Sequence, residues 1–302
     1  MIIEQMAKEL GLPAEFVVSL ANGASHEYKK YEIPKRTGGS RIIYHPSRRL
    51  KALQRWLLRR VINLLPVHSA AVAYQANRSI FDNASAHSSS RYLLRMDLRD
   101  FFPSLTQDDV LRYMQSRITL FQGWTGADIE VFCLLVTRHS RLTIGAPSSP
   151  ALSNALCYDL DVQLHELSKR HSSTYTRYAD DLFFSTDLPD VLDRIEPAVV
   201  EVIRSLALPA GLELNAKKTR HSSKRGTRRV TGITLGSDGK PYIGRGFKRR
   251  IRALIHKLDE LDANSRKSLS GMIAYARGFD PEFINSLILK YGLPKVQAAM
   301  KG

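Results

Sequence analysis

The chain has 302 residues, 43% of them apolar, enough to bury a large core and to build two or three packed subdomains. Lysine and arginine number 45 against 29 aspartates and glutamates, a net charge of +16, which calls for a polyanionic partner, with nucleic acid expected ahead of a membrane surface. No apolar run approaches the ~18 residues of a membrane span, the opening MIIEQMAKELGLPAEF lacks the basic and apolar segments of a secretory leader, and two cysteines without metal-ligand spacing, Cys133 and Cys157, fit a reducing, cytoplasmic compartment.

Along the chain, residues 4–32 read as helix with loops, closed by Pro34. PKRTGGSRIIYHPSRRLK then reads as a hairpin, with Gly38 and Gly39 at the turn and a short strand over 41–44. Leu53, Leu57, Val61 and Leu64 recur at helical spacing. RYLLRMDLRDFF is a buried-strand run carrying Asp97 near its end. SPALSNALCYDLDVQLHELSKR reads as one helix that starts at Ser149-Pro150 and lines up Leu152, Leu156, Leu160, Leu164 and Leu167. STYTRYADDLFFST is a hairpin by its β-branched and aromatic content. Residues 214–236 hold seven basic residues (Lys217, Lys218, Arg220, Lys224, Arg225, Arg228, Arg229) and no acid, a run that reads as a nucleic-acid contact. FKRRIRALIHKLDELD is an amphipathic helix, with Ile251, Leu254, Ile255, Leu258 and Leu261 opposite Lys248, Arg249, Arg252 and Lys257, and two more helical segments follow.

The adjacent acids Asp180 and Asp181 raise a physical question, because like charges repel and Asp is a poor strand residue. A polar hairpin tip is one answer and a bound cation is the other. If the strand ending in Asp97 neighbours this hairpin, three carboxylates converge, and such a cluster is costly unless it holds metal. Mg²⁺ takes hard oxygen ligands, usually one or two carboxylates plus substrate phosphates. Two such ions about 3.5–4 Å apart would serve an in-line displacement by a 3′-hydroxyl with pyrophosphate leaving. The acids alone leave open which phosphoryl transfer is served.

MDLRDFFPSL around Asp97, GAPSSPALSN from Gly145, YADD from Tyr178 and GLELNAKKT from Gly211 follow one another in an order that resembles the palm motifs of reverse transcriptases, particularly the bacterial and group II intron-like branch. PKRTGGSRIIYHPSRRLKALQ resembles the fingers hairpin of that branch, while NASAH (83–87) and VTG (230–232) resemble the Asn-Ala-x-x-His and Val-Thr-Gly motifs of retron reverse transcriptases. The resemblance covers nearly the whole chain and is most specific over 34–235. It ends in a small thumb with no appended maturase or nuclease domain.

The resemblance implies an α+β right hand: fingers with N-terminal helices over 1–90, palm over 91–106 and 145–238, a helical insertion over 107–144, and an RNA-binding thumb over 239–302. It implies Asp97, Asp180 and Asp181 as catalytic metal ligands, joined by the Leu98 backbone, with two Mg²⁺ ions and deoxynucleoside triphosphates as substrates. Phe102 takes the sugar-discriminating position, with Phe101 as the buried ring of the pair and Asp100 as a turn or capping residue. Arg41 and Lys35 grip the triphosphate, Lys218 lies near it, and Gly145, Ala146 and Pro147 let the backbone approach the nucleotide. Ile144 departs from the family's usual Gln, which removes or relocates one side-chain contact. Asn83, His87, Lys217, Arg228, Arg229, Lys248, Arg249 and Arg252 are expected at the RNA. The implied partners are a cognate structured non-coding RNA, its branched RNA–DNA product and a separate effector protein, in anti-phage defence. Another standalone bacterial reverse transcriptase, or a catalytically silent RNA-binding scaffold, are the rival readings.

Overall fold

The computed structural model describes residues 1–34 and 38–301, so Lys35 lies outside the described residues. Helices α1 (Ile2–Leu10) and α2 (Ala14–Asn22) lead into a two-stranded ribbon, β1 (Tyr28–Pro34) and β2 (Ser40–Pro46), paired antiparallel. Residues 28–32 are therefore strand, not the end of a helical region. Beyond Tyr28 every residue of β1 is exposed, so its own pattern gives no strand signal and its extension comes from the ladder to β2.

Ser47 caps α3 (Arg48–Arg60), which buries Leu50, Leu53, Trp56 and Leu57. The short α4 (Ile80–Ser85) precedes β3 (Tyr92–Asp97), and α5 (Phe101–Ser104), α6 (Gln107–Ser116) and α7 (Gly126–Val136) follow it. The helix expected over 149–170 is two: α8 (Ser149–Leu156) and α9 (Tyr158–Arg170) meet at Cys157, where φ is −85° and ψ 11°. Asp159 and Asp161 then fall in the first turn of α9, where a helix N-terminus favours negative charge.

The central sheet has the order β4-β5-β3-β6, formed by β4 (Thr174–Tyr178), β5 (Asp181–Thr186), β3 and β6 (Arg220–Ser223), all antiparallel. Between β5 and β6, α10 (Val191–Ser205) packs on the sheet, as α9 does on β4. The main apolar core runs from α1 through this sheet to α10. A small sheet of β7 (Arg228–Val230), β8 (Ile233–Leu235) and β9 (Pro241–Tyr242) packs on α4 through Ala84, Val230, Ile233 and Leu235. Four helices close the described chain: α11 (Arg245–His256), α12 (Ala263–Phe279), α13 (Pro281–Tyr291) and α14 (Leu293–Lys301), around Ile251, Ile255, Leu269, Ile273 and Leu287. The amphipathic helix thus stops at His256, and three helices follow it where two were expected. Among the described residues no helix is long and apolar enough to cross a membrane.

Two buried polar systems hold the β4–β5 hairpin from behind. In the first, Arg177 and Asp161 are both fully buried and meet in a two-pronged ion pair, Nε–Oδ1 2.8 Å and Nη2–Oδ2 2.6 Å. Arg177 also donates to Asn154 Oδ1 and to the Ala179 carbonyl, and Tyr175 donates to Asp161. In the second, His87 lies between the Ser185 and Thr176 hydroxyls, each 2.7 Å away, and Thr176 donates to Asn83 at 2.6 Å. Asn83 and His87 are completely buried, as is Arg228, which donates to the carbonyls of Ser88, Ser90 and Gly236. The expectation that these three face RNA is corrected: their side chains are buried inside the protein, where His87 uses both ring nitrogens while Asn83 Nδ2 and Arg228 Nε find no protein partner. The two retron-like strings meet there, for the Thr231 hydroxyl donates to the Ile80 carbonyl and Val230 packs beside Ala84.

Removing one partner of a buried ion pair strands the other charge, so Asp161→Asn or Arg177→Met is expected to cost about 3–5 kcal/mol, read as a lowered urea midpoint. Losses below about 1 kcal/mol in both variants would contradict this. Burial pushes the His87 imidazole down to about 3 from 6.5, so the unfolded chain takes up its proton first as the pH falls. Stability is then complete above the unfolded value and declines below it, by about 2 kcal/mol from this group on going from about pH 7.5 to about pH 5. His87→Gln should flatten that part of the urea-midpoint profile, and an unchanged slope would refute the assignment.

Candidate active site

The sheet sets the acids by register. Asp97, the last residue of β3, stands directly opposite Asp181, the first of β5, and Tyr178 of β4 pairs with Asp181 from the other side. Only Ala179 and Asp180 connect β4 to β5, and Ala179 takes the left-handed φ of 56° that tight hairpin turns need at their first position. The Leu98 N–H donates to the Asp180 carbonyl at 2.8 Å, and Asn215 N–H donates to the Asp97 carbonyl at 2.8 Å, so the turn, the strand end and the segment before β6 are stitched by backbone.

Positive charge already lies on two of the three acids. Lys218 Nζ sits 2.9 and 3.0 Å from the two Asp97 oxygens, and Arg95 grips Asp181 through Nε at 3.0 Å and Nη2 at 2.8 and 3.1 Å. Burial and then the Asp97 charge raise the Asp180 carboxyl above its ordinary value, with Lys218 and Arg41 opposing. Burial pushes Asp181 up to about 6, against Arg95 and with help from Asp180 and Asp97. The three backbones converge as the strand order suggested, but the Asp181 carboxylate is directed to Arg95. Among the described residues no set of three or more His, Cys, Asp or Glu groups forms a metal site on its own. A divalent ion nonetheless fits Asp97 and Asp180: hard oxygens, mutual repulsion, and two carboxylates with room for substrate phosphates are the donor set that Mg²⁺ usually takes.

Arg41 lies exposed on β2 and close enough to Asp180 to lower its pKa. Phe101 is buried and Phe102 half-buried, their ring centroids 5.4 Å apart, after Asp100 turns the chain with φ 43° and makes no side-chain cap. Gly145 serves a different neighbour from the one expected. A Cβ there would come 2.5 Å from the Tyr44 carbonyl oxygen and 2.9 Å from Ile43, so its bareness admits strand β2, and Ala146 is buried. Tyr44 N–H donates to the Ile144 carbonyl at 2.8 Å, which fastens the ribbon to this loop through backbone whatever the side chain at 144.

Of the basic residues expected at RNA, Lys217, Arg229 and Arg249 are exposed. Arg252 is half-buried over the Phe283 ring, and Lys248 is largely occupied by Asp280 at 2.6 Å. A separate groove of ≈ 820 Å³ at the base of the ribbon is lined by Lys29, Tyr31, His45, Arg48, Lys51 and Arg55, among others, and reaches none of the three aspartates. Sequence reasoning missed Arg95, although strand alternation places it, two residues before Asp97, on the same face. It also missed Arg177, hidden as a lone cation in a strand run, and Tyr74, whose ring lies 6.4 Å from that of Phe102.

Comparison with known proteins agrees with this arrangement. Residues 33–235 match the family model for reverse transcriptase (RNA-dependent DNA polymerase). The chain is 35% identical over 295 residues to the Retron Ec83 reverse transcriptase of Escherichia coli, covering 95% of this chain and 94% of that one. It is 34% identical over 275 residues to the Retron Ec73 reverse transcriptase of the same species, covering 87% and 86%. In fold alone it resembles apo telomerase from Candida tropicalis, with a TM-score of 0.53, 13% identity and coverage of 87% of this chain but 57% of that one. The α+β polymerase fold, the acids in register at its sheet and these likenesses lead to one conclusion: the chain belongs to the reverse transcriptase family, in its bacterial retron branch, and is an RNA-directed DNA polymerase.

Proposed function

We propose that this polymerase copies a cognate structured non-coding RNA into a branched RNA–DNA hybrid by two-metal nucleotidyl transfer, with synthesis starting from a 2′-hydroxyl of that RNA. The observation that carries the chemistry is the β3–β5 register, which sets Asp97 opposite Asp181 with Asp180 in the adjoining β4–β5 turn. In this reading the hand comprises fingers over 1–90, palm over 91–106 and 145–238 with its helical insertion, and thumb from 239.

Asp97 and Asp180, with the Leu98 carbonyl, hold the metal, and Asp181 is kept in place by Arg95. Bound there, Mg²⁺ supplies the positive charge that makes the primer hydroxyl nucleophilic and offsets the charge of the leaving pyrophosphate. Lys218 exchanges its Asp97 contact for the triphosphate as nucleotide enters, and Arg41 approaches the same phosphates from the ribbon. Phe102 sits where a ribose 2′-hydroxyl would meet an apolar ring. RNA stems, recognised mainly by shape and phosphate, lie on the exposed Lys217, Arg229 and Arg249, while the groove with Tyr31 and its cations suits a single strand. By the same family resemblance the hybrid acts with a separate effector in anti-phage defence.

The deciding experiment purifies the protein from cells carrying its native locus, treats the bound nucleic acid with RNase and DNase separately, and maps the junction. A discrete RNA–DNA species absent from Asp180→Asn, Asp181→Asn is expected. Bound RNA lacking any attached DNA would instead make the protein a scaffold. In primer extension, Asp97→Asn should lower the rate at least about 10³-fold, about 4 kcal/mol of barrier. Mg²⁺ at about ten times its dissociation constant should raise the wild-type thermal midpoint by about 2–3 °C, and not that of the Asp97→Asn, Asp180→Asn pair. Equal shifts in both proteins would place the ion elsewhere.

A further inference from the structure

Tyr74 has a backbone conformation and a setting that neither a core nor a surface role accounts for. Its φ is 63°, a left-handed value that a bulky side chain keeps only when its surroundings over-determine it. Those surroundings are on hand. Val72 N–H donates to the Arg177 carbonyl and Arg177 N–H to the Ala70 carbonyl, both at 2.8 Å, and Asn154 Nδ2 donates to the Ala73 carbonyl at 2.7 Å. Ala71, Val72 and Ala73 are buried, so the segment leading to Tyr74 is clamped to β4 and α8, the elements that also hold the catalytic turn.

The side chain on this rigid mount is not buried: 45% of Tyr74 is exposed. Its ring is inclined by 43° to that of Phe102. Burial raises the phenol's pKa, with Asp180 and Tyr178 adding to it and Arg177 and Arg41 opposing. A core tyrosine would be covered, and a surface tyrosine would need no strained and clamped backbone. A half-open aromatic ring fixed this firmly beside Phe102 has the properties of a binding wall.

We propose that Tyr74 is a specificity-determining residue of the nucleotide pocket, its ring and that of Phe102 forming a two-walled slot for the deoxyribose of the incoming deoxynucleoside triphosphate. This rests on the assignment of Asp97, Asp180 and Phe102 to the polymerase site. One ring blocks a 2′-hydroxyl only if the sugar cannot slide away from it, and the second ring removes that freedom. Tyr74 therefore governs both nucleotide affinity and the preference for deoxyribose, and leaves the chemical step to the acids.

The test is single-nucleotide primer extension on an RNA template, comparing a deoxynucleotide with its ribonucleotide in the full chain and in Tyr74→Ala, Tyr74→Phe and Phe102→Ala. Tyr74→Ala should raise the deoxynucleotide KM about tenfold and cut the deoxy-over-ribo preference about tenfold, with kcat within about threefold. Tyr74→Phe, which keeps the ring, should stay within about twofold of wild type on all three. The proposal is overturned if Tyr74→Ala leaves KM and preference within about twofold, or if it lowers only kcat, equally for both sugars. It is equally overturned if Tyr74→Phe falls as far as Tyr74→Ala. Should Tyr74→Ala fail a thermal-unfolding check, Tyr74→Leu is judged by the same criteria. Relaxed sugar selection in Phe102→Ala beside a silent Tyr74→Ala removes Tyr74 alone, whereas no extension by the wild-type chain removes the polymerase-site reading and this inference with it.

Discussion

The ion pair between Arg177 and Asp161 is the constraint on which the acidic end of the sheet depends. Taking two charges fully out of water is unfavourable unless each finds its partner in good geometry and the remaining donors are satisfied. Here the guanidinium divides its donors among Asp161, Asn154 and the Ala179 carbonyl. That ties α9, α8 and the turn before Asp180 to one point. The main chain of the same residue bonds to Ala70 and Val72, so the loop carrying Tyr74 is fixed by it too. A cooperative arrangement of this kind has few intermediate geometries, since displacing any one element leaves a buried charge without its partner.

In front of that point the chain gathers negative charge and answers it locally with positive charge. Lys218 and Arg95 come from different elements: Lys218 lies on Asp97, and Arg95 lies on Asp181, whose carboxyl burial pushes up to about 6. They differ in the hold they have. Arg95 uses a rigid planar fork and makes three contacts to Asp181, whereas Lys218 is a mobile point charge on a flexible stem, 56% exposed at its side chain. The arginine is therefore suited to be a fixture and the lysine to exchange partners.

The sequence made much of this legible, because register and turn chemistry are local. The acids, the hairpin between them and the strand ending at Asp97 follow from alternation and from where polar residues interrupt apolar runs. What stayed hidden depends on neighbours distant in the chain. Asn83, His87 and Arg228 are polar residues of loop-like stretches, and nothing local says that Thr176, Ser185 and the carbonyls of Ser88, Ser90 and Gly236 will enclose them. Leucines at helical spacing continue unbroken through Cys157, so periodicity could not report the break between α8 and α9. The exposed strand β1 carries no pattern of its own and is created by its pairing with β2.

The bare backbone at Gly145 has a consequence for how the chain can change over generations. The ribbon bearing Arg41 presses its main chain against this residue, and any β-carbon there would meet the Tyr44 carbonyl. Every amino acid that one nucleotide change can make from a glycine codon has a β-carbon. The junction between the ribbon and the loop before α8 is thus closed to stepwise drift: its tolerance lies in the side chains around it, such as the isoleucine at 144, whose carbonyl and not its side chain makes the bond to Tyr44.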